Sequence, residues 1–436
     1  MAQLTAGVLL GLSGAAVAMA GMDMEGRAGL LVVGAATAVA FVGVAIAAVP
    51  LAPPAIRLLA TALRLSRTTI GRLSSGNAVR DPRRSAVTAC ALTIGLTLLT
   101  VVGILRSSAE HSADLLLERT LAADYVLTGR TFGAFDPAAA TDAARMPGVA
   151  SVAVLYSGKF EIAGRMEDFA AVDPASLRRG LRLTALAGSL DPGADGLLVD
   201  AATAERRAWQ PGSRVVVVLL DGSAHTVRIA GVYATNDLVG SFLLAEPLYR
   251  AHYRAPTARM ALVTMADGAG ADRRRALDTA MRADRDLILR DLDQLKQAHR
   301  RRLAQPEAVA HVMLLLSLLV AAIGVVNTMS LSVAERTREI GLLRALGLNR
   351  SGLGLMILLE SLLVSLFGVI LGLGAGVPIG WAFQRVLADD GLHALSVPWA
   401  SLAGYAAIGL GVAVAASLWP AWRAARISPI TAIAEN

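Results

Sequence analysis

The chain has 436 residues, of which 55% are hydrophobic and only 17% charged, with a net charge of +7. Charge this sparse over this length excludes an ordinary soluble enzyme and points to a membrane protein. The single cysteine, Cys90, excludes an intrachain disulfide and any cysteine metal cluster.

A membrane-crossing helix needs about 20 consecutive apolar residues, because lipid leaves every backbone polar group to be satisfied within the segment. Six stretches qualify, at roughly 4–21, 29–52, 85–105, 309–333, 352–382 and 397–422. The first lacks a basic leader and is followed at once by the second, so the two are predicted to form a helical hairpin around "MDMEGR" (22–27). The connection 53–84 then carries Arg57, Arg64, Arg67, Arg72, Arg80, Arg83 and Arg84 against one acid, Asp81. Arg336, Arg338, Arg344 and Arg350 follow the fourth span, and Arg423 and Arg426 follow the sixth. Positive loops stay inside, so these segments and both termini are predicted to be cytoplasmic. The basic balance is thereby a topology signal, and a nucleic-acid partner is not needed to explain it.

The region 107–305 falls on the outer side and is nearly neutral. "VASVAVLYSGKFEIAG" (149–164) has the alternation and branched residues of strands. "GSRVVVVLLDGSAHTVRIAGVY" (212–233) reads as a hairpin turning at Asp221-Gly222. Helical periods occupy 137–146, 199–208 and 270–283. Residues 107–122 extend the third span outward, and 291–305 read as a helix running into the fourth. The fold class is therefore an α-helical transmembrane bundle of about six spans with an inserted mixed α/β extracytoplasmic domain on helical stalks. Its segments are a hairpin (1–56), a basic cytoplasmic connector (57–84), a transmembrane helix (85–106), the outer domain with its stalks (107–305) and three spans with a cytoplasmic tail (306–436), a short charged helix (333–350) lying between two of those spans.

In the fifth span Gly368, Gly372, Gly376 and Gly380 recur every four residues, a smooth face on which another helix can approach closely. The same stripe, traced backward, reaches Glu360. A charge facing lipid costs at least ~2.5–3.5 kcal/mol, so Glu360 is expected to face the bundle, as a packing acid or in coupling.

The chain lacks the motifs of catalysis. Neither lysine, Lys159 or Lys296, follows the glycine spacing of a phosphate-binding P-loop, and "RLSSGNAV" (72–79) only superficially resembles an ATPase signature loop. No HExxH metal spacing and no Gly-x-Ser-x-Gly elbow occurs. "ERTREIGLLRALGLNR" (335–350) stands apart, with six charges between apolar blocks. As a helix it has one face with Glu335, Arg338, Glu339, Leu342 and Leu346, and another with Arg336, Ile340, Leu343 and Gly347. Too short to span, it suits either a headgroup surface or a groove on a protein partner.

"SLSVAERTREIGLLRALGLNRSGLGLMILLES" (330–361) resembles the FtsX-like permease family, which includes the MacB-like ABC transporters. "GNAVRDPRRSAVTACALTIGL" (76–96), "GVVNTMSLSV" (324–333) and "PAWRAARISPITAI" (420–433) are similar to other parts of that family. "LLVDAATAERRAWQPGSRVVVVLLDGSAHTVRIAGVY" (197–233) resembles its outer domain more weakly. The resemblance implies that 333–350 is a coupling helix docking on a cytoplasmic ABC ATPase dimer through Glu335, Arg336, Thr337, Arg338, Glu339, Ile340, Gly341, Arg344, Ala345 and Gly347. ATP and Mg would be bound and hydrolysed in that partner, and this chain would hold no cofactor or metal and be no enzyme. It implies export or extraction of a lipid, lipoprotein, peptide or drug-like substrate, or alternatively FtsX-style signalling to an extracytoplasmic partner such as a cell-wall hydrolase. The hairpin at 4–52 departs from simple four-span members. With it the chain looks like the second repeat of a two-repeat permease, so a second copy or a paralogous permease is expected to complete the assembly.

Overall fold

A computed structural model describes residues 2–22, 26–130, 133–236, 238–268, 270–281, 287–303, 307–388 and 391–426. The chain divides into two compact units, Met1–Ser112 with Leu303–Asn436, and Ala113–Arg302.

The first unit is helical: α1 (Ala2–Gly21), α2 (Gly26–Ala62), α3 (Thr69–Arg80), α4 (Pro82–Thr120, whose last residues belong to the second unit), α11 (Glu307–Glu335), α12 (Thr337–Ala345), α13 (Arg350–Val386) and α14 (Trp399–Ala425). Among the described residues six of these, α1, α2, α4, α11, α13 and α14, are long and apolar enough to cross a membrane. They keep large apolar residues on their outer faces, such as Leu9, Leu12, Leu315 and Ile323, as hydrocarbon permits and water does not. Trp399 and Trp419 stand about 30 Å apart along α14 at 1.5 Å per residue, the thickness of a bilayer core, and both are exposed. Arg423 and Arg426 lie over the rings of Trp419 and Trp422, an interfacial anchor at that end.

The glycine stripe of α13 faces α4. A Cβ at Gly372 would stand 2.8 Å from Leu96 Cβ, and one at Gly376 would stand 2.6 Å from Thr100 Cβ. Close approach also lets Thr93 and Thr97 donate hydroxyls to the Gly368 and Gly372 carbonyls, at 3.1 and 3.2 Å. Glycine thus replaces side-chain interdigitation with backbone contact.

The basic segment 57–84, expected as a connector, is folded. The second span continues as helix to Ala62 through Pro50, Pro53 and Pro54. Thr68 then caps α3, its Oγ1 accepting from Gly71 N at 3.1 Å, and buries Gly71, Ser74 and Ala78 on one face. Asp81 ends α3, since the residue before a proline is driven out of the helical region, and Pro82 opens α4 at the first-turn position where its missing N–H is harmless. Ser85 Oγ donates to Ala78 O at 2.8 Å across this corner.

The second unit holds β1 (Tyr125–Gly129), α5 (Ala138–Ala144), β2 (Val149–Ile162), β3 (Arg165–Val172), α6 (Pro174–Gly180), β4 (Ala185–Gly188), β5 (Gly196–Asp200), α7 (Ala201–Arg207), β6 (Arg214–Val218), β7 (Ala224–Tyr233), β8 (Phe242–Ala245), α8 (Glu246–His252), β9 (Ala258–Met265), α9 (Ala271–Met281), β10 (Leu287–Arg290) and α10 (Leu292–Leu303). An antiparallel layer runs β10-β1-β9-β2, the split βαβ arrangement of β1-α5-β2 and β9-α9-β10. Both faces are covered. Leu127, Ala261 and Val263 pack beneath Leu277 of α9, while Val126 and Leu262 pack with Leu117, Leu177 and Leu295. That explains why these strands read as unbroken apolar runs.

The far half of β2 enters a second structure. The pairings β2-β3, β3-β8, β8-β5, β5-β7, β7-β6 and β6-β2 close a six-stranded barrel. Phe160, Phe169 and Phe242 fill it with Val217, Ile229 and Leu244. Closure removes unpaired edges, and the hairpins that make it possible follow the turn residues. Ala163-Gly164 has φ of +53° and +75° between β2 and β3. The Asp221-Gly222 turn joins β6 to β7, with Asp221 Oδ1 accepting from Ser223 N at 2.9 Å. The helix at 291–305 forms as α10, while residues 304–306 lie outside the described residues, as does part of the period at 270–283.

The glycine seam yields a paired test. Gly376→Ala is expected to destabilise the detergent-solubilised chain by about 1–3 kcal/mol through overpacking against Thr100. Gly374→Ala, with nothing within 4 Å of its added methyl, is expected to leave the unfolding midpoint unchanged. Thermal unfolding of the two variants compares them directly.

Candidate functional site

The charged segment 333–350 is not one helix but two elements and a turn. α11 ends at Glu335, and Arg336 leaves the helical region at φ −107°, ψ 18°. Thr337 Oγ1 donates back to Val333 O and Ala334 O at 3.1 and 2.9 Å, satisfying carbonyls that the break frees. The short α12 then ends on Gly347, at φ +100°. Gly347 N donates to Arg344 O at 3.1 Å and Leu348 N to Leu343 O at 3.0 Å, a Schellman stop that requires the left-handed residue. Asn349 restarts the chain as α13, its Oδ1 accepting from Gly352 N at 2.7 Å. The sequence "ALGLN" is thus a stop and a start separated by one residue.

The break gives α12 a buried face and a free one. Ile340 and Gly341 are buried, Ile340 among Val333, Leu353, Met356 and Ile357, with Ile70 and Leu73 of α3 alongside. Arg338, Leu342, Ala345 and Leu346 form the exposed stripe, and Glu339, also exposed, lies at its edge toward Arg80. Leu342 and Leu346 are 57% and 77% exposed, a large apolar surface on a helix too short to cross a membrane.

Three ion pairs hold this end of the bundle together. Arg84 Nη1 meets Glu335 Oε2 at 3.0 Å, and its other nitrogen donates to Thr328 O. Arg80 Nη1 meets both oxygens of Glu339 at 3.0 Å. Arg336 Nη1 lies 3.9 Å from Glu360 Oε1, and Arg336 Nη2 donates to Asn77 O at 3.5 Å. The pairs differ in weight. The Arg80–Glu339 side chains are 62% and 54% exposed, and such pairs contribute no more than about 1 kcal/mol. Arg336 and Glu360 are 18% and 9% exposed, so both charges have lost most of their solvation and solvent screens the pair little. A cleft of about 440 Å³ opens between α3 and α12, with Asn77, Arg80, Arg336, Glu339 and Glu360 on its walls.

The structure therefore separates residues that the sequence had grouped. Glu335, Arg336 and Glu339 face the bundle's own arginines or Glu360. Thr337 and Gly347 shape the backbone, and Ile340 and Gly341 are packed inside. Arg338 and Ala345 remain on the outer stripe, and Leu342 and Leu346 join them there. Arg344 is half-buried. Glu360 lies inside the bundle near the break, while Gly368 to Gly380 lie further along α13 against α4. Arg80, Arg84 and Asn77 belong in the sequence to the family-like stretch 76–96 and, for the two arginines, to the basic connector, with no sign of their partners. Their one signal was spacing, since Arg80 and Arg84 are four residues apart across the Asp-Pro corner. Among the described residues no cluster of three or more His, Cys, Asp or Glu side chains has the geometry to hold a metal ion.

Bilayer-length helices, an inserted sheet domain and a short charged helix between two spans define a multi-span permease-type membrane protein. The family model for the FtsX-like permease C-terminal region matches residues 311–429, and that for the MacB-like periplasmic core domain matches residues 85–277. The chain belongs to the FtsX-like, MacB-like family of ABC transporter permeases, and its second unit contains the extracytoplasmic domain. It is 30% identical over 151 residues to the macrolide export ATP-binding/permease protein MacB of Neisseria gonorrhoeae, covering 35% of this chain and 23% of that protein. It is 25% identical over 394 residues to an uncharacterised ABC transporter permease protein of Mycobacterium tuberculosis, covering 84% of this chain and 45% of that one. The crystal structure of the periplasmic region of MacB from Actinobacillus actinomycetemcomitans is similar at 13% identity and a TM-score of 0.31, over 41% of this chain and 92% of that one. The chain thus spans less than half the length of these curated relatives.

The buried pair is tested by comparing one substitution with two. Arg336→Ala removes the guanidinium that pairs with buried Glu360 and is expected to cost up to about 3–5 kcal/mol. The double variant Arg336→Met/Glu360→Met removes both charges and is expected to recover most of that loss in thermal unfolding.

Proposed function

We propose that this chain is the non-catalytic transmembrane subunit of an ABC transporter and that α12 docks on a separate cytoplasmic ATPase. The observation that carries this reading is the exposed stripe of α12. Leu342, Ala345 and Leu346 present an apolar ridge with Arg338 at its head, while the opposite face is packed and ion-paired. An amphipathic helix laid into a groove, with a charge fixing its register, is a recurrent mode of recognition. α3, α12 and the end of α14 gather their arginines at one end of the bundle, which supports a cytoplasmic location for that end and for both termini.

In this scheme ATP and Mg are bound by the partner, whose closure displaces α12. The packing of Ile340 against Leu353, Met356 and Ile357, with Arg336 beside Glu360, carries the displacement to α13, and the glycine seam carries it to α4. That helix runs unbroken from Pro82 to Thr120, with residues in both units, and so offers a route to the extracytoplasmic domain. A second copy or a paralogous permease completes the pairing that an ATPase dimer demands. The named activity of the Neisseria relative, macrolide export, favours export or extraction of a lipid, lipoprotein, peptide or drug-like substrate over signalling to an extracytoplasmic partner such as a cell-wall hydrolase.

The docking ridge is tested by co-purification. Leu342→Asp/Leu346→Asp is expected to reduce recovery of the co-expressed ATPase at least tenfold, with the permease still monodisperse in detergent. Undiminished recovery contradicts docking through α12.

A further inference from the structure

The barrel of the extracytoplasmic domain carries an open cleft of about 600 Å³ between the tip of the β2-β3 hairpin and α7. Arg165 of β3 stands on one wall, and Arg206 and Arg207 of α7 stand on the other, with Trp209 and Phe242 at the base. The acid in the cleft, Glu167, is already neutralised, since Arg207 Nη2 meets its Oε1 at 2.9 Å. The same guanidinium lies 5.0 Å from the centroid of the Trp209 ring, so Arg207 is held between a carboxylate and an indole.

The other two arginines are different. Arg206 donates to Thr203 Oγ1 at 3.0 Å, and neither Arg206 nor Arg165 has a carboxylate partner among the described residues. Two exposed guanidiniums without carboxylate partners among the described residues thus line one cleft together with aromatic side chains. Arginine forks match the oxygens of phosphate in pairs, and the half-buried Trp209, covered by Arg207 and packed on the barrel core, borders them. The volume lies within the range of small-ligand sites and leaves room for more than a phosphate alone.

We infer that this cleft binds a phosphate-bearing ligand, its anionic group held by Arg165 and Arg206 in a cleft that Trp209 lines. Arg207 is the positioning residue, fixing the indole and silencing Glu167. The site lies on the extracytoplasmic domain alone and stands whether or not α12 docks on an ATPase.

Trp209 provides the readout. The full chain in phosphatidylcholine nanodiscs is titrated with inorganic pyrophosphate and, separately, with dihexanoyl phosphatidic acid, recording intrinsic fluorescence against a Trp209→Phe control. A saturable change that Trp209→Phe abolishes is expected, with apparent affinity falling at least tenfold in Arg165→Gln/Arg206→Gln. Both substituted residues are exposed, so the variant's unfolding midpoint should be unchanged, and rescue by Arg206→Lys in part would reflect charge without the fork. A response to pyrophosphate alone identifies a free phosphate ligand, and a response to phosphatidic acid alone identifies a lipid headgroup. No Trp209-dependent response to either, or equal affinity in the double glutamine variant, overturns the proposal.

Discussion

The close seam between α13 and α4 is the constraint on which the membrane unit depends. In hydrocarbon there is no water to expel, so helices associate through packing and the few hydrogen bonds that packing allows. Four glycines on one stripe let the backbone of α13 approach α4, and two threonine hydroxyls of α4 reach carbonyls of α13 across the gap. The far ends of the same helices are joined by polar groups instead. Ser108 and Ser112 of α4 accept from Ser396 N and Ala394 N, in the segment leading into α14. Contacts this close leave the pair little room to move against each other.

A second device sits where that pair meets the charged end. A helix continuing straight from α11 into α13 would leave no surface for a partner. Arg336 interrupts it, and its guanidinium turns inward toward Glu360, so the residue that breaks the helix also ties the break to α13. The pair stabilises little in net terms, because both charges lose solvation, but removing either one is costly. That asymmetry suits a joint more than a glue. The exposed pair Arg80–Glu339 adds register and little energy.

Much of this was legible in the sequence, and the reasons are physical. Apolar blocks of bilayer length have no soluble equivalent, so the six long helices stand out from composition alone. The four-residue glycine period shows that α13 has a smooth face, though not that α4 covers it. Turn chemistry at Asp221-Gly222 and alternation in 149–164 reveal hairpins because both are local. The family motif reveals the segment 330–361 for the same reason. Less visible were features that depend on distant pairing. Closure of the barrel requires β6 to meet both β7 and the far end of β2, which no local pattern encodes. α3 was obscured by its arginines, which read as loop charge until a stripe of Gly71, Ser74 and Ala78 is seen to be buried. Amphipathicity shows which residues share a face and not which partners lie beside it, so the pairs of Glu335 with Arg84 and of Glu339 with Arg80 are not legible in the sequence.

The central claim is that the outer stripe of α12 meets an ATPase and the inner stripe does not. A photo-reactive amino acid placed at Leu346, and separately at Ile340, in the full chain co-expressed with its ATPase tests this directly. Illumination is expected to join the chain to the ATPase from position 346 and not from the buried position 340. Cross-linking to lipid alone from 346 would contradict the account.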